Sequence, residues 1–345
     1  MKSRKIAAIV LVLFLGISGT GTWIFAAEEN KTEEVSPSGM VLREDDTMLV
    51  TDMYSKTILT YKNYKYTRLT GTTDIIGIDG EPVGGYRDGT LEEALFESPW
   101  AIVPYKEGYA ITDTENNTLR FLDEKNETVS TIAGNIESGL ANGKLEETRF
   151  NRPTGLAKDE KGNLYIADTG NHVIRKMDVE GKVTTYAGSK KGCRIGDLLK
   201  TRLKEPTGLY YYDGALYVAD SGNHRILKMK DGKVTKVAGT TYKRSSDGFY
   251  EGGYKDGKIK IAEFSNPQGI AVTKGIVYVA DTGNSVIRKI EKGKVTTIKE
   301  REGTESMYPV SPRSIFIKKK ELMVSDVFAK TIFTVNVKER RNESK

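Results

Sequence analysis

Short runs of alternating apolar and polar residues, separated by Gly, Asn, Asp and Pro, follow one another along most of this chain. A period of two, with β-branched and aromatic residues at the apolar positions, predicts β-strands rather than helices. Six of these runs end in an aspartate that lies 14 or 15 residues after a proline. The six aspartates are Asp52, Asp113, Asp168, Asp220, Asp281 and Asp326.

The spacing of 45 to 61 residues between these aspartates indicates a repeat. Its clearest unit, residues 151–188, holds four strand-like runs separated by turn residues. Four antiparallel strands make one propeller blade, and six blades in a ring leave few strand edges exposed. The pattern therefore predicts an all-β fold, a six-bladed β-propeller of four-stranded antiparallel blades.

The repeat also predicts where the blades lie within a single domain of residues 28–345. We expect blades near residues 36–71, 98–134, 152–188, 205–239, 266–299 and 311–345. Blade six is the weakest, because residues 340–345 contain no β-branched or aromatic residue. We expect three well-formed strands there, or a fourth that is short and frayed, and we favour residues 28–35 over residues 340–345 as the partner that closes the ring.

Three repeats carry a family resemblance in the turn after the aspartate. Residues 168–176 read DTGNHVIRK, residues 220–228 read DSGNHRILK, and residues 281–289 read DTGNSVIRK. These segments resemble NHL repeats, and the resemblance covers about residues 36–336. It implies a six-bladed propeller but no single activity, because this fold hosts both binding and enzymatic roles.

The N-terminus has a different pattern from the repeats. Basic residues precede an apolar run at residues 6–17, and further apolar residues follow up to residue 27. This is typical of a secretory signal peptide or of an uncleaved signal anchor, an apolar helix within residues 1–27. The pattern predicts an extracytoplasmic protein, either secreted or attached to a membrane through residues 6–27.

The charge balance limits the class of binding partner, and the cysteine count limits the disulfides. The net charge is +6, but residues 1–27 contribute three cations and no acid, so the rest carries 50 basic and 47 acidic residues. Such a balance is not typical of a nucleic-acid-binding protein, and we predict no nucleic-acid partner. The single cysteine, Cys193, excludes an internal disulfide.

The residue after each repeat proline is expected to enter the central channel. These residues are Ser38, Trp100, Thr154, Thr207, Gln268 and Arg313. One aromatic ring, one cation and four neutral polar groups suit a protein, peptide or glycan ligand. The alternative is that these side chains only form hydrogen bonds with neighbouring blades.

Connectors between blades carry a second motif: GYRDG, GLANG, GCRIG or GYKDG, starting at Gly85, Gly139, Gly192 and Gly253. Their turn-forming pairs indicate ordered loops, and we expect an apolar residue of each connector to fill the seam between blades. Two connectors, residues 72–84 and 240–252, carry 13 extra residues each. We expect both to stand over the channel on one face, with Tyr86 and Tyr254 among the ligand-binding residues.

The six aspartates are expected to lock the turns that follow them by accepting backbone N–H groups. His172 and His224 occupy the same position in consecutive repeats, so we assign them a structural role in those turns. Two histidines and one cysteine cannot form a His/Cys zinc cluster. We therefore predict no metal, no cofactor and no catalytic residue.

The leading hypothesis is an exported or membrane-tethered binding, scaffold or sensor module for a cell-envelope polymer, peptide or partner protein. The alternative is a hydrolase or lyase that uses a metal and carboxylates such as Asp88 and Asp256. A cluster of carboxylates at the channel mouth would favour the enzyme, whereas a neutral or aromatic lining would favour the binding module.

Overall fold

The computed structural model describes residues 35–71, 76–78, 82–240, 251–298 and 309–337. These residues form six antiparallel sheets that follow one another along the chain. The innermost strand of each sheet contacts the innermost strands of both neighbours, and the sixth sheet lies next to the first. The predicted six-bladed β-propeller is confirmed. The apolar segment at residues 1–27 lies outside the described residues.

The strands are numbered in chain order. Blades one to three contain β1 (Pro37–Leu42), β2 (Met48–Asp52), β3 (Thr57–Lys62) and β4 (Lys65–Thr70); β5 (Gly89–Thr90), β6 (Pro99–Tyr105), β7 (Gly108–Asp113), β8 (Thr118–Asp123) and β9 (Thr128–Gly134); and β10 (Gly143–Lys144), β11 (Pro153–Lys158), β12 (Leu164–Asp168), β13 (Val173–Met177) and β14 (Lys182–Ala187). Blades four to six contain β15 (Pro206–Tyr212), β16 (Ala215–Asp220), β17 (Arg225–Lys230) and β18 (Lys233–Ala238); β19 (Gly257–Lys258), β20 (Ile270–Thr273), β21 (Ile276–Asp281), β22 (Val286–Glu291) and β23 (Lys294–Thr297); and β24 (Pro312–Lys318), β25 (Glu321–Asp326) and β26 (Thr331–Asn336). The main strands of each blade, which begin with β1, β6, β11, β15, β20 and β24, follow one another from the channel outwards. Single 3₁₀ turns span Thr169–Asn171, Leu198–Lys200, Ser221–Asn223 and Thr282–Asn284.

Blades two, three and five have a fifth strand, which the sequence pattern did not predict. The two-residue strands β5, β10 and β19 pair with the outer strands β9, β14 and β23. Each comes from the connector that precedes its blade, so the connector runs along the outer edge before it returns to the channel. This arrangement covers part of an edge strand that would otherwise expose unpaired N–H and C=O groups.

The core is divided among the seams between blades, each with its own cluster of buried apolar side chains. Four of these clusters contain an apolar residue from the connector between the two blades. These seam residues are Phe96, Phe150, Leu203 and Phe264, each at most 1% exposed. The expectation that connectors fill the seams is confirmed.

The glycine two residues after the repeat proline brings the inner strands close together around the channel. A Cβ atom on Gly208 would lie 1.8 Å from the carbonyl oxygen of Gln268, and one on Gly155 would lie 2.0 Å from that of Thr207. No side chain fits at such distances, so blades three and four admit only glycine there, whereas blades two and six have Ala101 and Ser314.

The ring closes between blades six and one, at a contact that we call the 6–1 seam. Ser325 Oγ donates a hydrogen bond of 2.8 Å to the carbonyl oxygen of Ser38, and Val35 is buried in one cluster with Ile332. In the described part of the chain blade six has three strands, as expected. Apart from Val35, both predicted closing segments, residues 28–35 and 340–345, lie outside the described residues.

Candidate functional site

The second strand of every blade ends in its aspartate at the same face of the ring, which we call the Asp face. Strand register pairs the proline that opens each blade with this aspartate, as in Pro153 with Asp168 and Pro312 with Asp326. The residue that follows the proline therefore enters the channel at the Asp face. The Asp-face end of the channel is the channel mouth.

Asp168 shows what the aspartate does in a regular blade. Its carboxylate accepts hydrogen bonds from the backbone N–H of Asn151 at 2.8 Å and from Asn171 Nδ2 at 2.8 Å. It also accepts one from Arg175 Nη1 at 2.9 Å, and both charged side chains are fully buried. The carboxylate thus joins the connector, the turn and the third strand of its blade.

The same buried ion pair recurs in blades two, four and five. The pairs are Asp113–Arg120, Asp220–Arg225 and Asp281–Arg288, with distances of 2.7–2.8 Å. The sequence analysis missed these arginines, although three of the four lie seven residues after their aspartate. Arg225 lies five residues after Asp220 and pairs through Nε instead of Nη1.

Burial and the neighbouring arginine shift the pKa of each of these aspartates in opposite directions. Burial raises the pKa of Asp113 to about 6, although the charge of Arg120 opposes the shift. Burial likewise raises the pKa values of Asp168, Asp220 and Asp281. A carboxylate that costs this much to bury is held by its hydrogen bonds and its cation, which is typical of a structural position.

Tyr86 and Tyr254 cover these arginines at the outer part of the blade. The guanidinium of Arg120 lies 5.2 Å from the centre of the Tyr86 ring and 5.0 Å from that of Phe96. The Tyr86 hydroxyl lies 3.0 Å from Thr131 Oγ1 on the outer strand β9. Tyr254 is placed in the same way over Arg288 and against Thr297. The structure thus places both rings against outer strands and not around the channel.

The carboxylates of the enzyme alternative are held by the same arginines. Asp88 accepts hydrogen bonds from Arg120 Nη2 at 2.7 Å and from the backbone N–H of Thr131 at 2.8 Å. Asp256 binds Arg288 and Thr297 in the same pattern. Among the described residues, no group of three or more His, Cys, Asp or Glu could hold a metal ion.

Both histidines connect one blade to the next. His172 and His224 end their 3₁₀ turns in the left-handed conformation, with φ of 59° and 54°. Nδ1 of His172 accepts a hydrogen bond of 3.2 Å from the backbone N–H of Glu205, and Nδ1 of His224 accepts one of 2.9 Å from Asn266. Asn117 makes the equivalent bond to Arg152 in blade two. The histidines therefore have the positions expected of structural groups.

Blades one and six hold their aspartates without a buried arginine. Asp52 accepts hydrogen bonds from the backbone N–H groups of Ser36, Tyr54 and Ser55. Asp326 accepts them from Val310, Ser311 and Ala329. In these two blades the aspartate is the turn lock that the sequence predicted, and the third strand contributes no cation to it.

The central channel encloses a cavity of about 240 Å³ that is lined by the inner strands of all six blades. The structure brings five of the six predicted channel residues to its lining, and these are Ser38, Trp100, Thr207, Gln268 and Arg313. Thr154 is buried outside this lining, and its Oγ1 lies 2.6 Å from Thr169 Oγ1. Thr207 makes the same contact with Ser221, so blades three and four use their hydroxyls internally.

Arg313 and Trp100 form the most distinctive pair at the channel mouth. The Arg313 guanidinium stacks over the Trp100 ring at 4.2 Å, and its Nη1 lies 3.1 Å from the sulfur of Met53. Among the described residues no carboxylate pairs with it, and its buried Nε has no hydrogen-bond acceptor. Burial lowers the pKa of Arg313 to about 10, and Asp326 opposes the shift. The side chain is a half-buried cation with which no carboxylate of the described residues forms an ion pair.

A second, open cleft of about 850 Å³ lies beside Arg313 on the Asp face. Its lining comes from the turns of blades one and six, from the first long connector and from the entrance to blade two. The lining residues are Ser36, Met53, Tyr54, Lys56, Gly77, Ile78, Pro82, Val83, Gly84, Glu97, Ser98, Arg313, Val327, Phe328 and Lys330. Residues 77, 78 and 82–84 of the first long connector therefore lie in the same cleft as Arg313. Residues 241–250 of the second connector lie outside the described residues.

Known proteins share the repeat found in this chain. A model of the NHL repeat matches residues 150–177, 203–229 and 264–290. Protein SUPPRESSOR OF QUENCHING 1, chloroplastic, of Arabidopsis thaliana is 29% identical and covers 71% of this chain. NHL repeat-containing protein 2 of Homo sapiens is 28% identical over 61% of this chain, and Teneurin-3 of Mus musculus 25% over 70%. The chain spans only 30%, 33% and 10% of these three relatives.

Solved structures show the same architecture. A streptogramin B lyase is similar with a TM-score of 0.52 and 15% identity, covering 87% of this chain and 93% of the lyase. An auxiliary nutrient binding protein from Bacteroides thetaiotaomicron has a TM-score of 0.57 and 14% identity, covering 87% and 68%. At such identities the likeness concerns the fold alone. The chain is therefore a six-bladed β-propeller, and it carries NHL repeats.

Proposed function

We propose that this propeller is a binding module that holds a peptide, an envelope polymer or a partner protein in the cleft on the Asp face. The observation that carries the proposal is the half-buried guanidinium of Arg313, stacked on Trp100 beside an open cleft. Burying a cation without a carboxylate costs free energy, and a protein recovers that cost when a ligand supplies the missing partner.

The enzyme alternative has less support from the site. Its carboxylates, Asp88 and Asp256, each bind a buried arginine and two groups of an outer-strand threonine. A general base or metal ligand needs free lone pairs that face the substrate. The similar solved structures include both a lyase and a nutrient-binding protein, and at this identity neither likeness decides the activity.

The binding proposal is tested by cross-linking from inside the cleft. Phe328 lies in the cleft and is 73% exposed. We would replace it with a photoreactive phenylalanine analogue in the full chain and irradiate living cells of the source. The matched control is Tyr64, which is 91% exposed in the β3–β4 turn, at the end of blade one opposite the Asp face.

We expect a discrete cross-linked product from position 328 and none from position 64. Equal labelling from the two positions would indicate random collisions and contradict the proposal. A complete lack of product from position 328, with both variants folded and abundant, would also contradict it.

The finer proposal is that the module works outside the cytoplasm, delivered there by residues 1–27. The support is the basic and apolar pattern of that segment. In the part of the chain that the structure describes, no helix is long and apolar enough to cross a membrane. Fractionation and mass spectrometry of the mature N-terminus test the location. A full-length N-terminus in the soluble cytoplasmic fraction would contradict it.

A further inference from the structure

The cleft forms where blades one and six depart from the repeat. In four blades the residue after the aspartate is a threonine or serine whose hydroxyl donates to the proline carbonyl of the next blade. The donors are Thr114, Thr169, Ser221 and Thr282, at 2.6–2.7 Å. Blades one and six have Met53 and Val327 there, followed by Tyr54 and Phe328. At these two turns apolar and aromatic side chains line the cleft, in place of the hydroxyl that links neighbouring blades elsewhere.

The charge of Arg313 favours an anion. Of the cations that line the cleft, Lys56 binds Glu97 through Nζ at 2.6 Å, whereas no carboxylate of the described residues pairs with Arg313. The guanidinium is partly removed from water, and the lower local dielectric strengthens its attraction for an anion.

The donors of Arg313 favour a planar anion. A guanidinium carries five N–H groups in a fixed fork. Among the described residues, its hydrogen-bond acceptor is one thioether sulfur, Met53 Sδ, which is a weak acceptor. One face of the guanidinium is covered by the Trp100 ring, so its edge is the part left for hydrogen bonding. A carboxylate can accept two parallel N–H bonds from that edge.

The remaining lining favours a peptide as the source of the carboxylate. Apolar side chains of Ile78, Val83 and Phe328 lie in the same cleft as the hydroxyl of Ser98. Such a surface suits a chain that carries an apolar side chain on a polar backbone. The volume of about 850 Å³ falls in the range of sites that enclose small ligands.

Resting on the proposed function, we infer that the cleft binds a peptide carboxylate next to an apolar side chain. Arg313 holds the carboxylate, Trp100 keeps the guanidinium in place, and the apolar side chain packs against Phe328 and the first long connector. The carboxylate can come from a peptide C-terminus or from an acidic side chain, and the experiment separates these two sources.

The test uses the fluorescence of Trp100 in the full chain. The protein has two tryptophans, so a Trp23→Phe background leaves Trp100 as the only reporter. We would titrate the tetrapeptide acetyl-Ala-Ala-Ala-Leu as its free acid, the same peptide amidated, and the amidated acetyl-Ala-Glu-Ala-Leu. Inorganic phosphate serves as a further arm that tests for a simple anion site.

We expect the free acid or the glutamate peptide to change the fluorescence, and the neutral amide to bind at least about tenfold more weakly, because one charge-assisted bidentate contact is lost. Arg313→Gln should abolish the preference for the acid, and Arg313→Lys should weaken it, since a lysine keeps the charge but not the fork. Arg194→Gln removes an exposed cation from the connector before blade four and should leave binding unchanged.

The outcomes separate this inference from the proposed function. Equal binding of acid and amide, or retention of the preference in Arg313→Gln, would overturn the carboxylate assignment while leaving a peptide-binding cleft. Saturation by phosphate with no peptide binding would overturn it in favour of a simple anion site. Failure of every peptide, together with cross-linking from position 328, would overturn only the ligand class. Failure of both experiments would overturn the proposed function itself. Thermal melting of Arg313→Gln confirms that a loss of binding does not reflect unfolding.

Discussion

Blades two to five differ from blades one and six, which meet at the 6–1 seam, in how they hold the aspartate that ends their second strand. In blades two to five a buried arginine ties the aspartate of the blade to the connector that precedes it. In blades one and six the aspartate accepts hydrogen bonds from backbone N–H groups, and no arginine of the described residues forms an ion pair with it. Arg313 of blade six stacks instead on Trp100 of blade two. One arrangement fastens the ring, and the other leaves a cation at the edge of a cleft.

This difference shows how a repeat protein can carry a function that its repeat does not encode. A repeated position has the same structural role in each blade, because every blade must bury the same seam. A position that departs from the repeat is free of that role. In this chain the departures Met53, Tyr54, Val327, Phe328 and Arg313 lie together in one cleft. The most regular blades are therefore the least informative about the ligand.

The largest expected effect tests whether the two kinds of arginine differ as described. Arg175→Met removes one partner of a fully buried ion pair and leaves Asp168 as an uncompensated charge. We expect this change to lower the free energy of unfolding by about 3–5 kcal/mol. Urea denaturation followed by circular dichroism measures the loss.

Arg313→Met is the matched variant, because it makes the same replacement where no carboxylate is paired. Arg313 is half-buried, and its removal leaves no carboxylate of the described residues without its cation, so we expect a change within about 1 kcal/mol. Similar losses in the two variants would show that Arg313 is as structural as Arg175 and would remove the contrast between the regions.

Truncating the seam residue of a connector should have an effect of about the same size. Phe150 is fully buried between blades two and three, and its ring lies 5.3 Å from the guanidinium of Arg175. Phe150→Ala should cost about 3–5 kcal/mol because it leaves a cavity in the seam. Phe150→Leu should cost below about 1.5 kcal/mol, since Leu203 fills the corresponding seam before blade four. Two equal losses would mean that the aromatic stack on Arg175, and not volume, governs this seam.

Much of this architecture could be predicted from periodicity, because a period of two and a repeated aspartate constrain every blade in the same way. The buried arginines could not, since a cation on a strand normally indicates a solvent-facing position. Their repetition at one register, as in Arg120, Arg175 and Arg288, was the available signal. A charge that recurs at the same position as a recurring carboxylate indicates an ion pair.

The candidate site was only partly predictable. The position after the repeat proline identified Trp100 and Arg313, since strand register fixes where that residue points. The stacking of these two side chains joins blade six to blade two across blade one, and no local pattern encodes a contact over that sequence distance. The cleft also depends on turn residues such as Phe328, which occupies no position that the repeat singles out.

A smaller effect is expected when the hydroxyl that follows the aspartate of a regular blade is replaced by an apolar group, as in blades one and six. Thr169 Oγ1 donates to the carbonyl oxygen of Pro206 at 2.7 Å. Thr169→Val removes this link between blades three and four and should cost about 1–2 kcal/mol, because the buried carbonyl loses its donor. Thr184→Val is the control, since Thr184 is exposed on β14 and should change stability by less than about 0.5 kcal/mol. No loss in Thr169→Val would mean that these hydroxyls do not help to fasten the regular blades.

The smallest expected effect is a pH dependence of stability that arises from His172 in blade three. Burial lowers the pKa of His172 from its ordinary value of 6.5, and Nδ1 must be unprotonated to accept the hydrogen bond from Glu205. The unfolded chain therefore binds more protons at this site than the folded chain. The contribution to stability is full above pH 6.5 and falls as the pH decreases towards the lowered pKa of the folded state.

The matched variant is His172→Asn, because Asn117 makes the same bond in blade two and does not titrate. The variant should be within about 1 kcal/mol of the parent at neutral pH, the scale of one neutral hydrogen bond. It should lose less stability than the parent when the pH is lowered from about 7.5 to about 5.5. The comparison with the parent cancels the opposite contribution of the buried aspartates, whose raised pKa values favour the folded state in acid. Urea melts at both pH values measure the difference, and parallel losses in the two proteins would contradict the assignment of the histidine as an acid-sensitive link between blades.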